Sequence, residues 1–397
     1  MPTYDAVVVG ARCAGAIAAG QLARQGWKVL MIDKDQFPSD TVSTHFMFPN
    51  TVARLDGLGI FERLQASHEI PALSQIWRIL GYELKAEFSP IEGISKGLSV
   101  RRITLDSVLI DWARDLGAET RFGSRVEGLV GAGTDDDPVR GVVLEDGEEI
   151  VARWVIGADG RASTVASLLN LEKEKTMSGD TSFLFAYWRG LPDREFASLD
   201  IHGDRSALMW NACEDGIHLL SLGGPPELTR GTGEERMKAY QTGIRNYPEV
   251  IAPGVLDSAE QISDLVVVPE AMMRGFYRRS NGPGWVLVGD AGHFKHPGTA
   301  QGISDAIEQS VYVAEALQAD DAGLTGFSTW RRDRTKGHYE WSFRYGTWPV
   351  EEVARPYLEG LSSDPAATQD WFDVLTRLKR PSDVETPERL GAWFGSG

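Results

Sequence analysis

The chain has 397 residues, 42% of them hydrophobic and 24% charged, enough apolar material for more than one packed core. Its net charge of −17 works against polyanionic partners, so no nucleic acid is expected to bind. Two cysteines make no disulfide framework, no basic-then-apolar leader opens the chain, and no apolar run has membrane-spanning length; the expectation is a cytoplasmic protein without a membrane span.

Tyr4 to Val9 is a short apolar, β-branched run that reads as a buried parallel strand. Gly10 breaks it. Ala14 to Arg24 then has helical spacing, with Ile17, Ala18 and Leu22 on one face and Gly26 as the stop. Val29 to Ile32 is a second strand closed by Asp33, completing a βαβ unit. Phe37 to Asn50 reads as a polar loop and Thr51 to Leu64 as a helix. Ile76 to Val100 alternates between turn glycines and predicts antiparallel strands, Ile103 to Leu116 an amphipathic helix. Glu119 to Phe122 and Val126 to Glu149 read as strands, with a hairpin tip at Asp135-Asp136-Asp137-Pro138. Val155-Ile156 is a short buried strand. Ser182 to Val268 predicts a second, mainly antiparallel sheet with one helix at Glu234 to Arg245. Trp285 to Val288 is a further buried strand, followed by a helix from Gly302 to Leu317. The tail reads as helical. Its aromatics (Trp330, Tyr339, Trp341, Phe343, Tyr345, Trp348) favour packing on the first domain over a lid or a partner surface.

Three segments carry chemistry. In the first, Val9-Gly10-Ala11-Arg12-Cys13-Ala14-Gly15, a strand runs through a tight turn into a helix N-terminus, whose free amides and positive dipole end suit a phosphate. Gly10 permits the turn and Gly15 close helix–sheet packing. Asp33 stands eighteen residues beyond Gly15, close to the spacing of about 20 at which an acid takes ribose hydroxyls. The usual middle glycine is Arg12, which can instead pair with a phosphate oxygen. The second segment is Gly157-Ala158-Asp159-Gly160, ending the Val155 strand. The third runs from Gly289-Asp290-Ala291-Gly292-His293 through Pro297-Gly298 to Gly302-Ile303. Any one alone reads as an ordinary loop; three glycine-flanked aspartate or phosphate turns in this order do not.

Together these segments resemble the FAD-dependent monooxygenase superfamily that includes para-hydroxybenzoate hydroxylase, with geranylgeranyl reductases and flavin-dependent halogenases as related groups. The resemblance covers residues 1 to 330 or so. It implies an α/β fold: a Rossmann-type FAD-binding domain (1–75, 101–172 and 273–330), an inserted mainly antiparallel sheet as substrate domain (76–100 and 173–272) and a helical C-terminal region (331–397). The implied FAD-binding residues are Gly10, Arg12, Cys13, Ala14, Gly15, Asp33, Lys34, Arg102, Asp159, Gly160, Gly289, Asp290, Gly302 and Ile303. Arg102 with Leu105 fits the family's Arg-x-x-Leu element, Asp290 falls to the ribityl chain, and the Gly302–Ile303 amides to the flavin's N1–C2 carbonyl edge. Ala166 stands where the family often has arginine.

The implied reaction is monooxygenation of a small aromatic or unsaturated compound through a flavin C4a-hydroperoxide. Molecular oxygen is co-substrate, and NAD(P)H is the transient reductant, directly or through a separate flavin reductase. A carbon–carbon double-bond reductase and a non-redox flavin-binding protein are the alternatives. The halogenase Trp-x-Trp-x-Ile-Pro signature is not found. His45, Pro297 and Gly298 are the catalytic candidates, with His45 open to hydrogen bonding, acid–base work or a covalent flavin link; His293 and His296 flank the proline. No zinc-ligand spacing is present, so no metal is expected.

Overall fold

The computed structural model describes residues 3–43, 45–319 and 321–395; Met1, Pro2, Thr44 and the predictions that touch them lie outside it. Tyr4–Val9 is the centre of a parallel sheet, flanked by Glu149–Gly157 on one side and Val29–Asp33 on the other. Trp285–Leu287 and Glu119–Phe122 extend it outward, and an antiparallel edge at Asn281–Gly282 completes the row. The strands are continuous hydrophobic runs because both faces are covered. Helices Cys13–Arg24, Arg102–Asp115 and Gly302–Ala319 pack on one face, where Ile17 and Leu22 are fully buried, each worth about 1.5–3 kcal/mol. The register pairs Val7 with Val155 and Ile156 with Val286. The loops that follow three strands therefore leave the same sheet edge side by side: Ala158 N donates to Val9 O at 2.8 Å and Val288 N to Gly157 O at 3.0 Å.

The second sheet runs Glu260–Gln261, Ser182–Arg189, Ile217–Gly224, Ala207–Ala212, Phe196–Ile201, Ser74–Ile79 and Tyr82–Ala86. It is antiparallel except where Phe196–Ile201 meets Ser74–Ile79. Alternation sorts its faces. Leu184, Ala186 and Trp188 pack with Leu208, Trp210 and Tyr240 of the helix Gly233–Ile244. Phe183, Phe185 and Met209 point the other way, into a cavity.

The loop expected over Phe37 to Asn50 instead contains a two-residue strand, Phe46–Met47, paired with Leu98–Ser99, and a helix that starts at Pro49. The single helix expected over Thr51 to Leu64 is two, Pro49–Gly57 and Ile60–Ser67, because Gly59 turns left-handed at φ 73°. The tail is helical (Phe327–Arg344, Glu351–Ser363, Pro365–Leu375, Pro387–Phe394). Its aromatics divide. Trp330 stacks on Tyr312 of the first domain at 4.3 Å, whereas Tyr345 and Trp371 pack on Trp77 of the second sheet and Trp341 packs on both of them.

Candidate functional site

The turn after the first strand leaves no room for side chains. Gly10 holds φ 103°, and a Cβ there would lie 2.5 Å from the Ala158 carbonyl oxygen; at Gly15 it would lie 1.7 Å from the Gly10 oxygen. Helix Cys13–Arg24 therefore begins hard against the sheet edge with its first amides unpaired inside the helix. Asp33 buttresses the turn: Oδ2 accepts from Ala11 N at 2.7 Å and Oδ1 from Asp35 N at 2.9 Å.

Arg12 lines the cavity and is also engaged by side chains of this chain. Its guanidinium donates to Asp106 Oδ2 at 3.0 Å, Asp35 Oδ2 at 3.2 Å and Ser39 Oγ at 3.0 Å, and lies over the Phe37 ring. Arg102 donates to the same Asp106 through three contacts of 2.9–3.1 Å, and Cys13 Sγ lies 3.3 Å from it. Asp106 is thus the buried hinge of the cradle, 1% exposed. Sequence reasoning missed it, although the Arg102–Asp106 spacing of i,i+4 on a helix was the available signal.

Asp159 accepts from Thr164 N at 2.6 Å and Val165 N at 3.2 Å, capping the short helix Thr164–Leu168. Its other oxygen is buried with no partner among the described residues. Asp290 stands in the wall; burial raises its pKa to about 6, against the pull of Arg161 and Arg102. Pro297–Thr299 forms a single turn pinned by His296, whose Nδ1 accepts from Gly298 N at 3.0 Å. Burial holds His296 neutral, its pKa pushed down to about 3. Gly302 and Ile303 then open a helix of 18 residues with its N-terminus at the cavity.

These parts line one continuous cavity of about 1390 Å³. It takes in Gly10, Arg12, Cys13, Ala14, Asp33, Lys34, Arg102, Asp159, Gly160, Asp290, Pro297, Gly298, Gly302 and Ile303. Gly15 and Gly289 act from behind the wall; a Cβ on Gly289 would come 3.1 Å from Ala14 Cβ. The volume exceeds the roughly 300–1,000 Å³ of a site for one drug-sized ligand, leaving space for cofactor and substrate together. Glycine turns that a Cβ would fill, helix amides, a paired-arginine cradle and the unpartnered Asp159 oxygen suit a long diphosphate-bridged dinucleotide, and FAD fits this donor set.

His45 does not line the cavity, contrary to the catalytic expectation. It is fully buried at φ 65°, with Nδ1 2.8 Å from the Ser43 carbonyl and Nε2 2.6 Å from Tyr187 Oη. A carbonyl only accepts, so Nδ1 carries the proton and Nε2 accepts from Tyr187. Burial lowers the His45 pKa to about 4. The pair ties the loop before Phe46 to the second sheet, a positioning task.

The fold and this site define a flavoprotein oxidoreductase. Residues 3–197 match the FAD binding domain family. The menaquinone reductase of Mycolicibacterium smegmatis is 28% identical, over 85% of this chain and 82% of its own length. The 6-methylpretetramide 4-monooxygenase of Streptomyces rimosus is 28% identical, over 77% and 73%. A flavoprotein/dehydrogenase structure from Cytophaga hutchinsonii superposes with a TM-score of 0.78 at 19% identity, covering 94% of this chain and 92% of that one. Residues 3–197 thus belong to the FAD binding domain family, and the chain is an FAD-dependent oxidoreductase.

Proposed function

We propose that the chain is a monooxygenase that hydroxylates or epoxidises an apolar aromatic or unsaturated compound, using molecular oxygen and NAD(P)H. The observation that supports this best is the sheet-side wall of the cavity. Trp77, Phe183, Phe185, Leu199, Ile201 and Met209 line it, with Gln75, Thr181, Asn211 and Ser221 as its polar members and no titratable group. Such a wall holds a planar apolar ring and excludes water, but offers no proton to a substrate carbon. Gln75 Oε1 is buried without a partner among the described residues, so a single hydroxyl or N–H on the substrate would satisfy it.

Bound FAD supplies the electron transfer itself. This chain's residues do the rest: Gly10 to Gly15 and Arg102 hold the diphosphate, Asp33 the ribose, Asp290 the ribityl hydroxyls, and the Gly302 and Ile303 amides the carbonyl edge. Pro297 and Gly298 shape the wall beside it.

One observation favours a second reading, a reductase, for which we take reduction of a carbon–carbon double bond as the alternative reaction: relatives named menaquinone reductases match 80–85% of this chain. A screen for compounds that accelerate NAD(P)H-dependent flavin reduction, with product mass measured in air and under nitrogen, decides. Products that gain one oxygen atom, and only in air, support oxygenation. A gain of two hydrogens under nitrogen overturns it.

A further inference from the structure

The C-terminal helices lie outside the matched family region, yet one of their side chains reaches the far end of the cofactor site. Arg377 follows the helix Pro365–Leu375 and adopts a left-handed backbone, φ 63°. Its guanidinium is buried against the start of the helix Gly302–Ala319. Nη2 donates to Asp305 Oδ1 at 2.5 Å, Nη1 to Glu308 Oε2 at 3.0 Å, and Nε and Nη2 to Gln301 Oε1 at 3.3 and 3.2 Å. Asp305 also takes Lys295 Nζ at 2.6 Å, and Lys295 reaches Gln301 Oε1 at 3.1 Å. Gln301 Nε2 in turn donates to the Leu375 carbonyl at 3.2 Å, and Arg334 makes two 3.0 Å bonds to Glu308. His293 Nδ1 stands 3.9 Å from Asp305, neutral because of its burial.

Out of water the network holds two cations (Lys295, Arg377) and two carboxylates (Asp305, Glu308), formally neutral, while Arg334 meets Glu308 from the surface with 39% of its side chain exposed. Buried ion pairs are a poor route to stability, because desolvation cancels most of their attraction. A left-handed arginine adds a backbone cost of its own. Their position supplies another reason. Lys295, Gly302 and Ile303 all line the cavity, at the point where the helix presents its free amides. The helix end contributes about half a positive charge there, and Lys295, the member of the network that lines the cavity, adds to it while Asp305 and Glu308 lie behind the wall.

We propose that Arg377 is a positioning residue for the cofactor. It fixes the first turn of the Gly302 helix and, with Lys295, gives that end of the cavity a positive charge that favours the reduced, anionic flavin over the oxidised one. The inference rests on FAD binding alone and holds whether the reduced flavin meets oxygen or an alkene.

The test uses the full-length protein, with the FAD dissociation constant and the two-electron midpoint potential as readouts. Arg377→Met is expected to weaken FAD binding by about tenfold, at the low end of what supporting residues of an ion site are worth. Lys295→Met is expected to keep oxidised FAD bound but to lower the potential by about 30 mV, equivalent to tenfold in relative affinity for the reduced form. Arg377→Lys keeps the charge and loses the planar fork, so affinity falls while the potential stays. A lower unfolding temperature with unchanged affinity and potential in these variants shows mere packing and overturns the proposal. If Arg377→Met does not fold, Arg377→Lys and Lys295→Met decide: wild-type values in both refute it.

Discussion

Replacing Asp106 by Asn tests whether the phosphate cradle is built from mutual ion pairing. Asn keeps the shape but removes the charge shared by Arg12 and Arg102. Breaking one side of a buried pair typically costs about 3–5 kcal/mol, because the other charge is left uncompensated. Arg102 is deeply placed, with 12% of its side chain exposed, so it carries most of the loss. Arg12 is 21% exposed and keeps Asp35, which is itself largely in water, so its share is small. The expected loss in the apoprotein is therefore near the lower bound, about 3 kcal/mol. A bound diphosphate would supply an anion to the freed guanidinium, so saturating FAD should recover more stability in Asp106→Asn than in wild type. Urea unfolding of apo and FAD-saturated protein, wild type and variant, measures all four values. If the variant apoprotein loses less than about 0.5 kcal/mol, or FAD stabilises both proteins equally, Asp106 does not organise the cradle as described.

Gly10→Ala forces a Cβ to 2.5 Å from a backbone oxygen at a positive φ, so the purified variant should lack the yellow flavin absorbance even after incubation with FAD. Tyr187→Phe leaves the His45 Nε2 acceptor buried and unpaired, at a cost of about 1–3 kcal/mol by urea unfolding; an unchanged midpoint would show that the 2.6 Å bond is not a tie. Stability should fall on acidification. Burial lowers the pKa values of His45, His293, His296 and His338 to about 4, 3, 3 and 3. Below pH about 6.5 the unfolded chain takes protons there that the native chain refuses, and each such site removes about 1.4 kcal/mol per pH unit until its folded pKa is reached. Asp290, raised to about 6, works in the opposite sense as pH falls from about 6, as do Asp159 and Asp200, also raised by burial, while His218, lowered by burial, adds to the loss. Unfolding free energies at pH 7, 6 and 5 that stay level would contradict this. Burial also pushes both thiols up, Cys213 to about 12, so neither Cys13 nor Cys213 should react with a maleimide at pH 7 until the protein unfolds.

What could be read from the chain alone was what local pattern encodes. The βαβ unit announces itself through a β-branched run, a glycine that must turn at φ 103° and helical spacing after it. The Gly302 helix and the Glu234 helix also show in periodicity, the latter with a Thr232–Glu235 capping box. What long-range pairing decides was not legible. Phe46–Met47 is a strand only because Leu98–Ser99 lies beside it. Arg12 looks like a phosphate ligand in isolation, and only the folded loop brings Asp35, Ser39 and Asp106 within its reach. His45 has cavity neighbours in sequence, Ser43 and Phe46, but a left-handed backbone turns it away from them. Arg377 carries no local signal at all, since its partners lie about seventy residues upstream.

The distribution of titratable groups narrows the chemistry further than any single residue. None of the seven histidines lines the cavity, and five of them are buried and held neutral elsewhere. The acids that do line it fall at two ends. Asp33, Asp35, Asp40, Asp159 and Asp290 stand on the side of the glycine turns, Asp40 within 3.4 Å of Tyr187 Oη, while Glu340 and Glu385 stand with the C-terminal helices, Glu385 already paired with Arg344. Between them lies the apolar sheet wall. Oxygen transfer asks this region to orient a ring and exclude water, which the wall does with the residues it has. Alkene reduction also needs a proton delivered to carbon, and among the described residues the carboxylates that line the cavity beyond the glycine turns are Glu340 and Glu385, beside the C-terminal helices. The choice between the two reactions therefore turns on how far a bound substrate extends from the sheet wall toward Glu340 and Glu385, a property of cavity shape rather than of a catalytic side chain.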